Sequence, residues 1–279
     1  MNFICKILLQ PTIFLCTLVQ IHAQALIYPA SAPYQAAARY APMVTDAFTH
    51  AINPATLSGL SGFCAGLNVE NRFLIPGFNR LTLSASYRKS PSGFSLRLRY
   101  FGDQEYNENT CGLNYGFSLG KITLGAIFNY HFIHFAGNPA ESYLQYGLAS
   151  LWRLSDKVYS SFRITNPGFF RARERKNYPL ATTIQMGIGC LLSPNLYLGI
   201  ELEKEEGKTP QVIFALCYQY ASDFFFKGYW TAQNHQPFIS AGWQWKNLRV
   251  ETGCAFHPVL GISPSLTLLF QPKNVVQPE

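Results

Sequence analysis

Arg80, Arg88, Arg97 and Arg99 share an unusual placement: within each of two neighbouring stretches they are separated by an even number of residues. On a β-strand, even spacing puts side chains on one face. Leu81, Leu83, Leu96 and Leu98 fall on the other face. Guanidinium groups gathered on one side suit a carboxylate or another acidic headgroup, and Arg88, Arg97 and Arg99 are the candidate ligand-binding residues. Glu70, Arg163, Glu201, Glu203, Lys227, Arg249 and Glu251 fall in the same phase, so the other chemistry open to this face is internal ion pairing. A second basic cluster, Arg171, Arg173, Arg175 and Lys176, follows Phe169-Phe170. It suits an acidic or phosphate-bearing contact or a solvated loop.

Other chemistries find little support. His131, His134 and Ser142 have no spacing that links a nucleophile to its base. No CxxC, HxxEH or HExxH spacing occurs, nor any phosphate-binding glycine loop. The reading is therefore a non-enzyme with no catalytic residue, no metal and no cofactor.

The elements that carry these residues are clearest between Cys111 and Phe135. Cys111, Leu113, Tyr115, Phe117 and Leu119 alternate with Gly112, Asn114, Gly116 and Ser118. After Gly120-Lys121 the alternation resumes, with Ile122, Leu124, Ala126, Phe128, Tyr130 and Phe132 against mostly Thr123, Gly125, Asn129 and His131. A period of two across a two-residue turn is a β-hairpin. Its polar face is small and uncharged, and the whole chain is 13% charged and 15% aromatic. A small polar face suits the lumen of a closed barrel, and the apolar face suits lipid.

The rest of the chain repeats this unit. Fourteen strands are expected near 61–71, 79–89, 93–102, 109–119, 122–134, 142–153, 157–166, 180–192, 195–204, 210–220, 223–231, 237–245, 248–256 and 263–270. Most are long enough to cross a bilayer at a tilt. Tight turns (Ser90-Pro91-Ser92, Gly120-Lys121, Ser155-Asp156, Lys246-Asn247) alternate with longer loops, as in outer-membrane barrels with short periplasmic turns and long outer loops. Tyr87, Tyr100, Trp152, Tyr220, Trp230, Trp243 and Trp245 fall near strand ends, where amphipathic rings favour the headgroup level. The fold class is thus all-β, a 14-stranded antiparallel transmembrane barrel.

The N-terminus differs in texture. Residues 1–23 read as a signal peptide, with Lys6, an apolar run from Ile7 to Val19 and Ile21-His22-Ala23 as the cleavage site. Two of seven cysteines leave with it; the remaining five, an odd number, argue against a disulfide framework. Residues 24–60 are Ala-rich and irregular, with Pro29, Pro33, Pro42 and Pro54 and room for a short helix or two. They are expected to plug the lumen or pack at its periplasmic mouth, below a barrel at 61–270 and beside a periplasmic tail at 271–279. Export to the bacterial outer membrane makes nucleic acid an improbable partner. Outer-membrane lipid is the expected surrounding, with lipopolysaccharide phosphates a candidate contact for the Arg171–Lys176 cluster.

The order of these parts, with Ala38-Arg39, Asn53-Pro54-Ala55-Thr56-Leu57, Asn166-Pro167-Gly168 and Gly261-Ile262-Ser263, resembles the fatty-acid-transporter (FadL) fold. More narrowly, it is similar to the PorV/PorQ group of Bacteroidetes outer-membrane proteins. That resemblance implies a non-enzymatic accessory barrel linked to type IX secretion, binding a secreted or secretion-system protein. Arg39, Asn53, Pro54 and Ala55 would form its plug motif. The alternative it implies is a FadL-like transporter of small hydrophobic molecules.

Overall fold

The computed structural model describes residues 38–167, 181–221, 223–233 and 236–271. They form a closed antiparallel barrel of fourteen strands, each paired with its neighbours in sequence. In order these are β1 (Gly62–Asn71), β2 (Asn79–Lys89), β3 (Ser92–Gly102), β4 (Tyr106–Leu119), β5 (Ile122–Phe135), β6 (Glu141–Arg153), β7 (Val158–Thr165), β8 (Thr183–Ser193), β9 (Leu196–Glu205), β10 (Gln211–Gln219), β11 (Phe224–Thr231), β12 (Gln236–Trp245), β13 (Leu248–His257) and β14 (Gly261–Phe270). Closure comes from β1 pairing with β14, from Ala65 opposite Phe270 to Glu70 opposite Ser265. A closed ladder leaves no strand edge to meet hydrocarbon. Among the described residues no helix is long and apolar enough to cross a membrane.

The alternation read from the sequence sets the two faces. Leu81 and Leu83 are 45% exposed on the outside, while Thr82 between them and Ser84 after them are fully buried. The seven interfacial aromatics named above all lie exposed on the outer surface or at its margin. Strand boundaries agree with expectation to within about three residues. The largest differences are at β4, which starts at Tyr106 because Tyr106 pairs with Phe135, and at β8, which starts at Thr183 opposite Thr165.

Residues 38–60 pack against inward-facing residues of the wall, among them Cys64, Gly116, Gly125 and Leu269. A 3-10 turn at Pro42–Val44, a helix α1 (Ala47–Ile52) and a second 3-10 turn at Pro54–Gly59 follow one another. Six residues cannot hold a helix in water, so α1 depends on its caps and its surroundings. Asp46 Oδ1 accepts from the amides of Phe48 and Thr49 at 3.1 and 3.0 Å, and Asn53 Oδ1 accepts from Ala55 at 3.2 Å. Phe48, Ile52, Leu57 and Leu60 then form one apolar cluster with Cys64 of β1 and Leu269 of β14. The barrel's core is therefore the contact between this segment and the wall.

Glycines on the wall make that contact possible. A Cβ at Gly116 would stand 2.4 Å from Pro54 O, and one at Gly125 would stand 2.7 Å from Pro54 Cγ. The small residues that thin the luminal face of β4 and β5 are the seat of the Asn53-Pro54-Ala55 turn. Residues 1–23, the rest of the segment up to 37, the Arg171–Lys176 cluster and the tail beyond Gln271 lie outside the described residues.

Candidate functional site

The lumen holds two groups of charged residues at different heights. The lower one, nearer the tight turns, is centred on Asp46, which is fully buried. Besides capping α1, Asp46 receives Arg39 at 3.1 Å, Arg249 of β13 at 2.8 Å and Lys227 of β11 at 3.8 Å. Lys227 also pairs with Glu251 at 2.8 Å, and Ser240 of β12 donates to the same carboxylate at 2.8 Å. The Phe225 ring lies 5.1 Å from Lys227 Nζ and 4.9 Å from Arg249 Cζ, and Arg39 lies 5.7 Å from the Tyr229 ring. Three cations thus surround a single carboxylate of the segment, and Glu251 is a second counter-charge for two of them, Lys227 and Arg249.

The other end of α1 is met in the same way. The last carbonyls of a helix have no partner within it. Here Ser95 donates to His50 O at 3.1 Å, Asn114 to Ala51 O at 2.9 Å and Arg163 to Ile52 O at 2.8 Å. A cation at the C-terminal end and a carboxylate at the N-terminal end both favour the helix dipole. Asn53 reaches Ser161 of β7 at 2.9 Å, Tyr40 OH donates to Glu201 of β9, and Tyr40 N donates to Tyr197 OH at 3.0 Å. Gln271, just past β14, donates to Thr45 O at 3.1 Å.

The upper group lies on the β1–β6 wall, towards the long loops. Arg97 Nη2 donates to Asn129 Oδ1 at 3.0 Å, and Asn129 Nδ2 donates to Gln145 Oε1 at 2.8 Å. His131 lies between Thr110 Oγ1 at 3.0 Å and Gln145 Oε1 at 3.3 Å. Arg99 pairs with Glu108 at 3.5 Å and Arg80 with Glu70 at 3.8 Å.

The three candidate ligand arginines therefore have different surroundings. Arg97 and Arg99 stand together, two residues apart on β3. Arg88 lies lower on β2 and donates to Leu60 O at 3.1 Å, where the segment passes into β1. Of the plug-motif residues, Arg39 joins the Asp46 cluster, while Asn53, Pro54 and Ala55 form the turn seated on Gly116 and Gly125. His131 and Ser142 do not meet as a nucleophile and base would: His131 is buried in the lumen, whereas Ser142 pairs with outward-facing Phe132. The sequence gives no hint of Asp46, an isolated acid whose partners on β11 and β13 are remote in the chain. Asn129 and Gln145 are neutral residues in the luminal phase, marked only by their alternation.

A cavity of about 360 Å³ opens on the outer face of β2–β5. Leu81, Leu83, Leu98 and Phe132 line it, and its floor reaches Arg99 and Thr110.

Similarity to known proteins agrees with this architecture. The Ralstonia pickettii toluene transporter TbuX superposes with a TM-score of 0.59 at 10% identity, over 81% of this chain and 93% of that one. The Acinetobacter baumannii outer membrane protein Omp33 gives a TM-score of 0.51 at 11% identity, over 75% and 97%. The closed antiparallel barrel is the fold shared with these two outer-membrane proteins. No family model matches the sequence, and no curated protein does. Identities this low carry the fold of such barrels to this chain and leave ligands and partners to be argued from its own residues.

Proposed function

We propose that this outer-membrane barrel passes small hydrophobic molecules and that residues 38–60 stopper its lumen. The observation that carries this reading is the fold shared with TbuX, a barrel described as a toluene transporter. Two features of the chain itself support it. A lumen packed by fully buried residues such as Phe48 and Ala55 does not suit an open water-filled pore. The apolar cavity over β2–β5 offers a hydrophobic solute a place on the lipid side of the wall.

The test is uptake of radiolabelled toluene by cells with an intact lipopolysaccharide leaflet, with and without the protein in the outer membrane. Several-fold faster initial uptake with the protein is expected. Equal rates, with the protein shown to be in the outer membrane, would refute transport of this class of solute.

A PorV/PorQ-like accessory barrel linked to type IX secretion is the second reading. It is favoured by how completely the luminal segment is bonded to the wall from Arg39 to Asn53. Under it, native mass spectrometry of protein gently extracted from its own outer membrane would find a stoichiometric protein partner and no small apolar adduct. An apolar adduct without a protein partner would count against it.

A further inference from the structure

On the luminal face of β2 and β3, side chains stand in facing pairs: Ser84 opposite Arg97, Thr82 opposite Arg99, and Arg80 opposite Phe101. Arg80, Thr82, Ser84 and Arg97 are all more than nine-tenths buried. Yet Nε and Nη1 of Arg80, Oγ1 of Thr82, Oγ of Ser84 and Nε of Arg97 have no hydrogen-bond partner within the protein. Arg80 keeps Glu70 only at 3.8 Å, too long for a hydrogen bond. Arg97 is held by the neutral Asn129 alone, and among the described residues no carboxylate lies within ion-pair distance of it. Three guanidinium groups, those of Arg80, Arg97 and Arg99, face two carboxylates, Glu70 and Glu108.

At Arg80 and Arg97 the unmet groups are all donors, and Asn68 Oδ1, opposite Thr82, is the one unmet acceptor beside them among the described residues. Buried donors without acceptors, and a buried cation without a counter-charge, are costly unless something supplies the missing acceptors. All four side chains can donate, and a compact oxyanion offers several acceptor oxygens and the missing negative charge. Gly112, opposite Arg97 on β4, preserves the arrangement: a Cβ there would stand 2.3 Å from Asn129 Oδ1, the atom that orients Arg97. Arg80 lies one residue inside the long-loop end of β2, so the row descends into the lumen from that rim.

We propose that Arg80, Thr82, Ser84 and Arg97 form an oxyanion site on the β2–β3 wall, taking a carboxylate or a phosphate. Binding at this site is independent of whether the barrel transports toluene. If the transport reading holds, the site adds that solutes with an acidic head are held above the luminal segment.

The experiment is isothermal titration calorimetry on the full chain in a nonionic detergent and chloride buffer, with sodium acetate, sodium octanoate and inorganic phosphate as probes. Saturable binding of at least one probe is expected, weakened at least tenfold in Arg97→Gln and severalfold in the Thr82→Val/Ser84→Ala double variant. Octanoate binding much tighter than acetate would identify the head of an amphipathic solute, and phosphate binding tightest would identify a phosphate group. Heat-modifiable gel migration reports folding, and if Arg97→Gln does not fold, the double variant decides. Failure of all three probes to saturate, or unchanged affinity in a folded variant, overturns the site. Neither result bears on toluene uptake.

Discussion

Asp46 joins two roles in one carboxylate. One oxygen caps α1, while the other receives Arg39 and Arg249, with Lys227 close by. Asp46→Asn keeps a cap acceptor but takes away the carboxylate that Arg39, Arg249 and Lys227 all approach. Removing one partner of a buried ionic cluster typically costs about 3–5 kcal/mol. Urea unfolding of the variant in detergent is therefore expected to show a clearly lower midpoint, and an unchanged midpoint would contradict the role given to Asp46. How well such residues can be read depends on what makes them inward-facing. Arg97, Arg99, Lys227, Arg249 and Glu251 are all buried as their alternation with apolar neighbours indicates. Asp46 sits in a stretch without period, and its contact with Arg249 spans 203 residues. That kind of contact leaves no trace in local sequence.

The same division holds for the elements. Strands announce themselves because each outward position meets lipid and each inward position does not, so the period of two survives along the whole barrel. The segment 38–60 has no such uniform surroundings. Phe48 meets Leu269 in one apolar cluster, Tyr40 meets Glu201 and Tyr197, and Pro54 meets Gly116 and Gly125. Its helix is brief and its caps are single residues, so the Ala-rich texture suggests only that a short helix has room there. The glycines of β4 and β5 can be read as thinning the luminal face, but not as the seat of a particular turn. Gly125→Val is expected to force the Pro54 turn off the wall, at a cost of about 1–3 kcal/mol by overpacking. Limited proteolysis should then cut within residues 38–60 much faster than in the parent protein. Equal cutting rates would mean that the turn does not depend on this contact.

At the scale of the whole molecule, the chain is built with its apolar side chains outwards and its ionic network inwards. The outer leucines and aromatics match a bilayer, while the luminal cations and carboxylates around Asp46 pair with one another and with the segment they meet. Barrel and segment are therefore one structure: the wall supplies donors for the exposed carbonyls of α1, and the segment supplies Asp46 to the wall's cations. Such a barrel should be closed at rest. The measurement that bears on this most directly is single-channel conductance of the full chain in planar bilayers, beside the same chain carrying Asp46→Asn and Gly125→Val. The parent protein is expected to stay closed and the double variant to show frequent openings. Sustained open channels from the parent protein would contradict a lumen stoppered by residues 38–60.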